Sequence, residues 1–514
     1  MRISEVKRIK AAKVKLRRCI YRQVLKQLMI HRPSEEVDSF YSFPKEPENV
    51  EYCSGAACFV ARKLDPDLFN MSEKSEIKTY CLGKCYLAPA SSKKTGKPRI
   101  EIRSKEEIVL DNAVHGTVLD LDEYITKGGF SALKKALLMK PEDVISEVER
   151  SSLRGRGGAG FPTGKKWRSV LNETAQQKYI VVNADEGDPG AYIDKTIMEY
   201  DPFKLLEGAM IAGYSVGSNK CYIYIRREYP DSISTITKAI GDLRANNLLG
   251  KNIQKSRFSF EIEVVRGKGS YVCGEETAML RSIEGNRPEV SLRPPYPTEK
   301  GLFGKPTVVN NVETLANIPW IILHGADEFA GIGFSKSRGT KVVSLNSLFV
   351  NPGLYEVDMG VTIDEIVNDI GGGLKSGTIR GVIVGGPLTG IVPPNKFDTR
   401  IGYEEMRSIG AELGHGGIIA FDENTTIREL VENVSSFVAY ESCGKCTPCR
   451  QGSREIQRIF SPNNKSGDTY TEEDFSQLVT ALRETSLCGL GSGLGEFLES
   501  AITNYKEDID SCFM

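Results

Sequence analysis

Four thiols that must meet constrain this chain more than any other feature. Cys443, Cys446 and Cys449 form C-x2-C-x2-C within ESCGKCTPCRQG, and Cys488 follows 39 positions later in SLCGLG. Three thiolates at this spacing can face one side of a cuboidal cluster, and a remote fourth completes an all-cysteine [4Fe–4S] site. Zinc also takes four thiolates, but its usual signature is two separated C-x2-C pairs, so the spacing favours the iron cluster. The fold must therefore leave the cysteine turn and come back to it.

A second group is Cys53-x4-Cys58 and Cys81-x3-Cys85, in EYCSGAACFVARK and TYCLGKCYLAP. Small residues inside both loops fit a [2Fe–2S] cluster held by two turns, with zinc as the alternative. Cys19, Cys221, Cys273 and Cys512 read as small apolar residues. Twelve cysteines, with no stretch that reads as a secretory leader, suggest a reducing compartment where cysteine clusters hold metal; the expected location is cytoplasmic.

The stretch LRGRGGAGFPTGKKW, residues 153–167, contains G-x-G-x-x-G at Gly155, Gly157 and Gly160. A dinucleotide fingerprint needs a strand entering its first glycine, whereas PEDVISEVERSSL before it reads as a proline-started helix. The ordinary nucleotide turn is thus excluded by context. Bare amides with Arg154, Arg156, Lys165 and Lys166 around them still suit a phosphate, against the plainer reading of a glycine-rich surface turn.

Short apolar runs follow, YIVVNAD, CYIYIRR and FEIEVVRG, separated by helical stretches such as LLEGAMIAGYSV, the pattern of an α/β layer. The first run ends in Asn183, Asp185, Glu186 and Asp188, where open sheets bind ligands, with a helix N-cap cluster as the plainer reading. GKGSYVCGEETAML supplies Tyr271, Gly274, Glu275 and Glu276, and RPPYPTEKGLFGKPTVVNNVETL adds Arg293, Tyr296, Asn310 and Asn311. Before the loop, RIEIRS and EEIVLD read as strands and residues 118–153 as helices. TKVVSLN, GLYEVDMG, TIDEIVNDIGGGL and RGVIVGGPLTG form a small α+β unit, and a helical region begins near residue 424.

With 514 residues the chain needs several cores, and 40% hydrophobic with 26% charged residues describes a globular protein. A net charge of −1 gives no reason to expect nucleic acid, and no apolar run is long enough to span a bilayer. The first 32 residues carry eleven Lys/Arg and one acid, with Ile20, Val24 and Leu28 on one helical face. They read as a surface helix, with a partner-docking helix the second choice.

Together RGRGGAGFPTGKKW, VVNADEGDPG, YVCGEETAML, KPTVVNNVETL and ESCGKCTPCR resemble the NADH-binding flavoprotein subunit of respiratory complex I. That family also occurs in NAD-linked hydrogenases, formate dehydrogenases and electron-bifurcating complexes. The similarity covers about residues 115 to 500, and the earlier cysteines resemble the family's thioredoxin-like [2Fe–2S] subunit, here joined in one chain. The resemblance implies FMN on the loop, at Gly155, Arg156, Gly157, Gly158, Gly160 and Lys166, with Asn183, Asp185, Glu186, Tyr271, Gly274, Asn310 and Asn311 completing its site. It implies NADH/NAD+ near Phe161, Glu186, Asp188, Glu275, Glu276, Arg293 and Tyr296. Glu186 and Glu276 are the acids expected to bear on the reaction, by orienting the nicotinamide and setting the flavin potential.

The expected architecture is multidomain α/β and α+β. It comprises an N-terminal helix and thioredoxin-like domain (1–110), a Rossmann-like FMN/NADH domain (111–336), a β-grasp-like domain (337–423) and a helical [4Fe–4S] bundle (424–514). The expected role is a diaphorase subunit passing hydride between NADH and FMN and single electrons to clusters, for a hydrogenase, formate dehydrogenase or bifurcating partner. The alternative is a non-catalytic iron–sulfur relay. Family N-A-D-E-S-E-P-G is N-A-D-E-G-D-P-G here, and the Lys and Phe of K-P-P-F are Arg293 and Tyr296, which leaves NADH against NADPH open. Only 22 residues separate Cys58 from Cys81, so the thioredoxin-like part is expected to be trimmed. The ferredoxin domain of some hydrogenase members is not expected after Cys488.

Overall fold

The computed structural model describes residues 50–75, 78–461, 471–510 and 513. The basic stretch 1–32, most of the polar loop after Phe460, and Cys19 and Cys512 lie outside the described residues.

Four apolar runs pair into an all-parallel sheet: β2 (Tyr179–Ala184), β3 (Lys220–Ile225), β4 (Glu261–Arg266) and β5 (Thr307–Asn311), in the order β4-β3-β2-β5. β2 and β3 are buried along most of their length because helices cover the sheet, which is why their sequences are nearly continuous apolar runs rather than alternating ones. The helix Pro202–Val216 is buried on almost every side, and Gly208 presses on the backbone of Leu315, a contact no side chain would allow. Its buried acid, Glu207, accepts hydrogen bonds from Tyr124 Oη (2.6 Å) and from the amides of Phe130 and Leu133 (2.9 Å each). A buried carboxylate with three donors fastens the preceding helices to the sheet.

After the two-residue hairpin β6 (Gly333–Phe334) and β7 (Ser337–Arg338), a mixed sheet forms from β8 (Thr340–Leu345), β9 (Gly353–Asp358), β10 (Ile379–Val384), β11 (Ile391–Val392) and β12 (Gly417–Asp422). Its sixth strand comes from far upstream. β1 (Arg99–Ile102) lies parallel to β9, giving the order β1-β9-β8-β12-β10-β11. A strand's periodicity marks it as a strand without naming its partner, so this pairing is not visible locally. EEIVLD departs from the strand expectation. The amides of Ile108, Val109 and Leu110 are instead collected by the buried carboxylate of Glu356 on β9. Helices Ile427–Glu441, Thr447–Phe460, Glu472–Thr485 and Gly489–Asn504 pack through Leu430, Val434, Ile456, Phe475, Leu482 and Leu494.

The two sheets are tied by charge as well as apolar packing. Glu313, just after β5, pairs with Lys341 of β8, and both side chains are wholly buried. Glu313 also accepts the Val342 amide at 3.0 Å, and Lys341 donates to the Val342 carbonyl at 2.8 Å. Removing one member leaves a buried charge alone, so Glu313→Ala should destabilise the chain by about 3–5 kcal/mol in urea unfolding. Glu313→Leu with Lys341→Met should recover most of that loss. A single-variant loss within the ~0–1 kcal/mol of a surface pair would contradict this role.

Candidate functional site

Ligand-accessible space opens where the parallel strands end. Gly157 of the glycine loop, Asn183, Asp185, Glu186 and Asp188 after β2, Tyr271, Gly274 and Glu275, and Asn311 at the end of β5 line one cavity of about 230 Å3. One water occupies about 30 Å3, so the space suits a ring system. A larger cleft of about 680 Å3 lies beside the loop, lined by Arg154, Lys165, Arg338 and Glu404 among others, but neither the strand-end acids nor the cysteines reach it. The strand-end acids and Cys488 thus gather at the smaller cavity.

The loop is closed by the Gly155 amide on the Phe161 carbonyl at 2.9 Å, with Gly158 and Gly160 at φ of 121° and 61°. Such φ values are strained for other residues. Its back is held by the β-rich unit. Arg154 lies over the Tyr403 ring at 4.0 Å and pairs with Glu404 at 2.8 Å. Arg156 turns away from the cavity, fully buried, donating to the Arg338 carbonyl at 2.6 Å and to Tyr403 Oη at 3.3 Å. Asn310 also faces elsewhere, accepting from Trp167 Nε1 at 2.8 Å.

Each strand-end acid has a distinct setting. Glu186 is buried and accepts the amides of Ile193 (2.7 Å), Asp194 (3.0 Å) and Lys195 (3.1 Å), plus Tyr229 Oη at 3.1 Å. Burial, then the neighbouring Asp194, raises its pKa to about 7. Asp188 accepts from Tyr271 Oη at 2.5 Å, and burial pushes its carboxyl upward. Asp185 is raised by burial too, and its Oδ2 has no protein donor. Glu275 caps the helix Glu276–Ile283 with one oxygen, while Oε1 is buried without a hydrogen bond, 3.9 Å from the Arg293 guanidinium. Buried polar atoms without a hydrogen bond are uncommon, and these two stand in the wall of the cavity.

The cavity is also built to be narrow. A Cβ on Gly157 would stand 2.9 Å from Asn311 Cβ, and one on Gly187 would stand 2.6 Å from the Tyr271 ring. Outside the cavity lining, Lys166 joins Glu276 at 3.3 Å and the Val309 carbonyl at 3.0 Å, while Arg293 joins Glu276 at 2.8 Å. Phe161 and Tyr296 are exposed.

Cys488 lines the same cavity, with Gly489 and Leu490. It directly precedes the helix Gly489–Asn504, as Cys446 precedes Thr447–Phe460. Helix N-termini favour thiolates. The Cys449 hydrogen bond lowers Cys446 to about 5, and burial raises Cys488 to about 11. Cys443 and Cys446 both act on Cys488 electrostatically, which puts the remote thiol in the neighbourhood of the turn. The second group also converges. Cys53, Cys58, Cys81 and Cys85 are all buried, with Cys81 and Cys85 Sγ 3.7 Å apart, and Cys58 in contact with Cys53. Arg226 joins this group to the cavity wall, donating to the carbonyls of Cys81 (3.0 Å) and Glu186.

Two titratable residues of the cavity wall went unnoticed in the sequence, Asp194 and His415. Asp194 sits in an ordinary helical stretch, and a lone histidine between glycines carries no motif.

Comparison with known proteins agrees with this geometry. The family described as Nuo51 FMN-binding domain matches residues 148–320, and the NADH-ubiquinone oxidoreductase-F iron-sulfur binding region matches residues 429–512. NADP-reducing hydrogenase subunit HndC of Solidesulfovibrio fructosivorans is 43% identical over 76% of this chain and 80% of its own length. The F-type subunit of NADH-quinone oxidoreductase from Aquifex aeolicus (strain VF5) is 40% identical over 80% and 95%. In structure, an NAD+-reducing [NiFe]-hydrogenase chain in the H2-reduced state superposes with a TM-score of 0.78 at 24% identity, over 96% of this chain and 89% of that one. The chain belongs to the family of F-type flavoprotein subunits of NADH-quinone oxidoreductase.

Proposed function

We propose that this chain is the NAD(H)-oxidising flavoprotein subunit of a larger redox assembly, exchanging hydride between NADH and FMN and single electrons between FMN and iron–sulfur clusters. One observation carries the reading: Cys488, of the four-thiol set, shares a cavity wall with the glycine loop and the strand-end acids. FMN, when bound, supplies the conversion between two-electron hydride chemistry and one-electron cluster chemistry.

The chain's own residues bind and orient. Gly157 and Asn311 form the narrow floor, and Asn183, held by its amide on the Gly274 carbonyl at 2.8 Å, stiffens the wall. Asp185 and Glu275 offer acceptors to the ligand's hydroxyls or ring N–H groups. Lys166, Glu276 and Arg293 form an ion-paired rim, and Phe161 and Tyr296 give flat exposed faces on which a nicotinamide nucleotide can lie. Cys443, Cys446, Cys449 and Cys488 hold a [4Fe–4S] cluster, and Cys53, Cys58, Cys81 and Cys85 hold a [2Fe–2S] cluster. The convergence of four buried thiols supports the second assignment. The domains are those read from the sequence, with β1 lent to the β-grasp-like sheet and the N-terminal part a trimmed thioredoxin-like domain. Twelve cysteines read as metal ligands and small apolar residues support a reducing compartment, the cytoplasm, for the assembly. Among the described residues no helix is long and apolar enough to cross a membrane.

Purified without oxygen, the full chain should contain FMN and iron in place of zinc, and NADH should bleach its flavin absorbance. A zinc-loaded, flavin-free preparation would contradict the proposal. Cys488→Ser should slow reduction of a one-electron dye by at least about tenfold, or ~1.4 kcal/mol of barrier, while NADH still bleaches the flavin. Unchanged dye reduction would separate Cys488 from the electron path.

A further inference from the structure

His415 is thrust into the cavity by its own turn. The flanking glycines take left-handed φ values, 52° at Gly414 and 100° at Gly416, just before β12. His415 Nε2 lies 3.1 Å from Asp194 Oδ2, an oxygen that also accepts from Asn311 Nδ2 at 2.6 Å. Its Nδ1 lies 3.5 Å from Glu186 Oε1, is buried, and makes no hydrogen bond. Glu186, Asp194 and His415 are close enough to hold a cation. Yet the carboxylates already serve the amides of residues 193–195, the Glu313 amide and Asn311, so a proton on the ring fits this arrangement better than an ion.

We propose that His415 is the resident cation of the cofactor cavity: an imidazolium held between Asp194 and Glu186, whose charge favours the reduced form of the bound flavin. The proposal rests on the flavin reading above. Hydride transfer brings two electrons and one proton and leaves the reduced ring with one extra negative charge. His415 transfers no proton; it stays charged and offsets that charge. The groups facing it are Asp194 on its helix, Glu186 and Asp188 in the loop after β2, and Lys341 on β8. Burial draws the imidazole pKa down, but Asp194 and Glu186 outweigh this and carry it up to about 9. A folded-state pKa above the unfolded value means stability that is full below the unfolded value, roughly pH 6.5, and lost as pH climbs through 9.

The chain has four histidines, so ring-13C labelling of the full-length, flavin-free protein gives a short spectrum, and His415→Gln identifies the signal. That signal should remain imidazolium at pH 8; a neutral ring at pH 7 would overturn the proposal. In the FMN-loaded chain, His415→Gln should lower the preference for reduced over oxidised FMN by about tenfold, which for a two-electron couple is about 30 mV of midpoint potential. Unchanged potential with FMN retained would remove His415 from this role. If His415→Gln does not fold, Asp194→Asn serves instead, with a fall in both the His415 pKa and the flavin potential expected and no change in either counting against the idea. A wild-type chain that takes up no FMN would overturn the flavin reading itself, whereas retained FMN with unaltered potential would overturn only His415.

Discussion

A buried carboxylate organises the site. Glu186 leaves the end of β2 and collects three amides at the start of the helix Ile193–Tyr200, fixing the turn between strand and helix. Charge without water is costly, and hydrogen bonds to charged groups are among the few interactions strong enough to compensate. With Glu186 used in this way, its neighbours Asp185 and Asp188 are left facing the cavity. The acids in this short stretch therefore divide into one that builds and two that line the cavity.

The same turn draws distant parts together. Arg226 donates to the backbone of both Glu186 and Cys81, so the N-terminal thiol group is referenced to the strand end. Tyr271 binds Asp188 through its hydroxyl and Glu441 through its amide, and Glu441 stands two positions before Cys443. Its ring also meets Phe437, which meets Tyr80 beside Cys81. Loop, strand end and both cysteine groups are thus one packed unit, with distances fixed by short contacts rather than by flexible linkers.

Much of this was legible in the sequence because the chemistry sits in ordered motifs. Cysteine spacing gave both thiol groups, continuous apolar runs gave the parallel strands, and a helix before the glycine loop ruled out an ordinary nucleotide turn. What escaped depended on direction and partnership. Arg156 belongs to the loop by sequence but points into the β-rich unit, and Asn310 spends its side chain on Trp167. β1 is a strand by pattern, yet its partner lies some 250 residues onward. EEIVLD has strand-like residues, but a carboxylate on β9 takes the amides that a sheet would have used. His415 and Asp194 become a pair only when β12 and the helix after β2 are brought side by side.

In the proposed function one cavity serves the cofactor and touches the cluster. A crystal structure of the full chain grown without oxygen, with anomalous data at the iron edge, tests it most directly. Isoalloxazine density is expected between Gly157, Asp185 and Glu275, with a multi-iron anomalous peak beside Cys488. A flavin bound elsewhere, or a single zinc among Cys443, Cys446, Cys449 and Cys488, would contradict it.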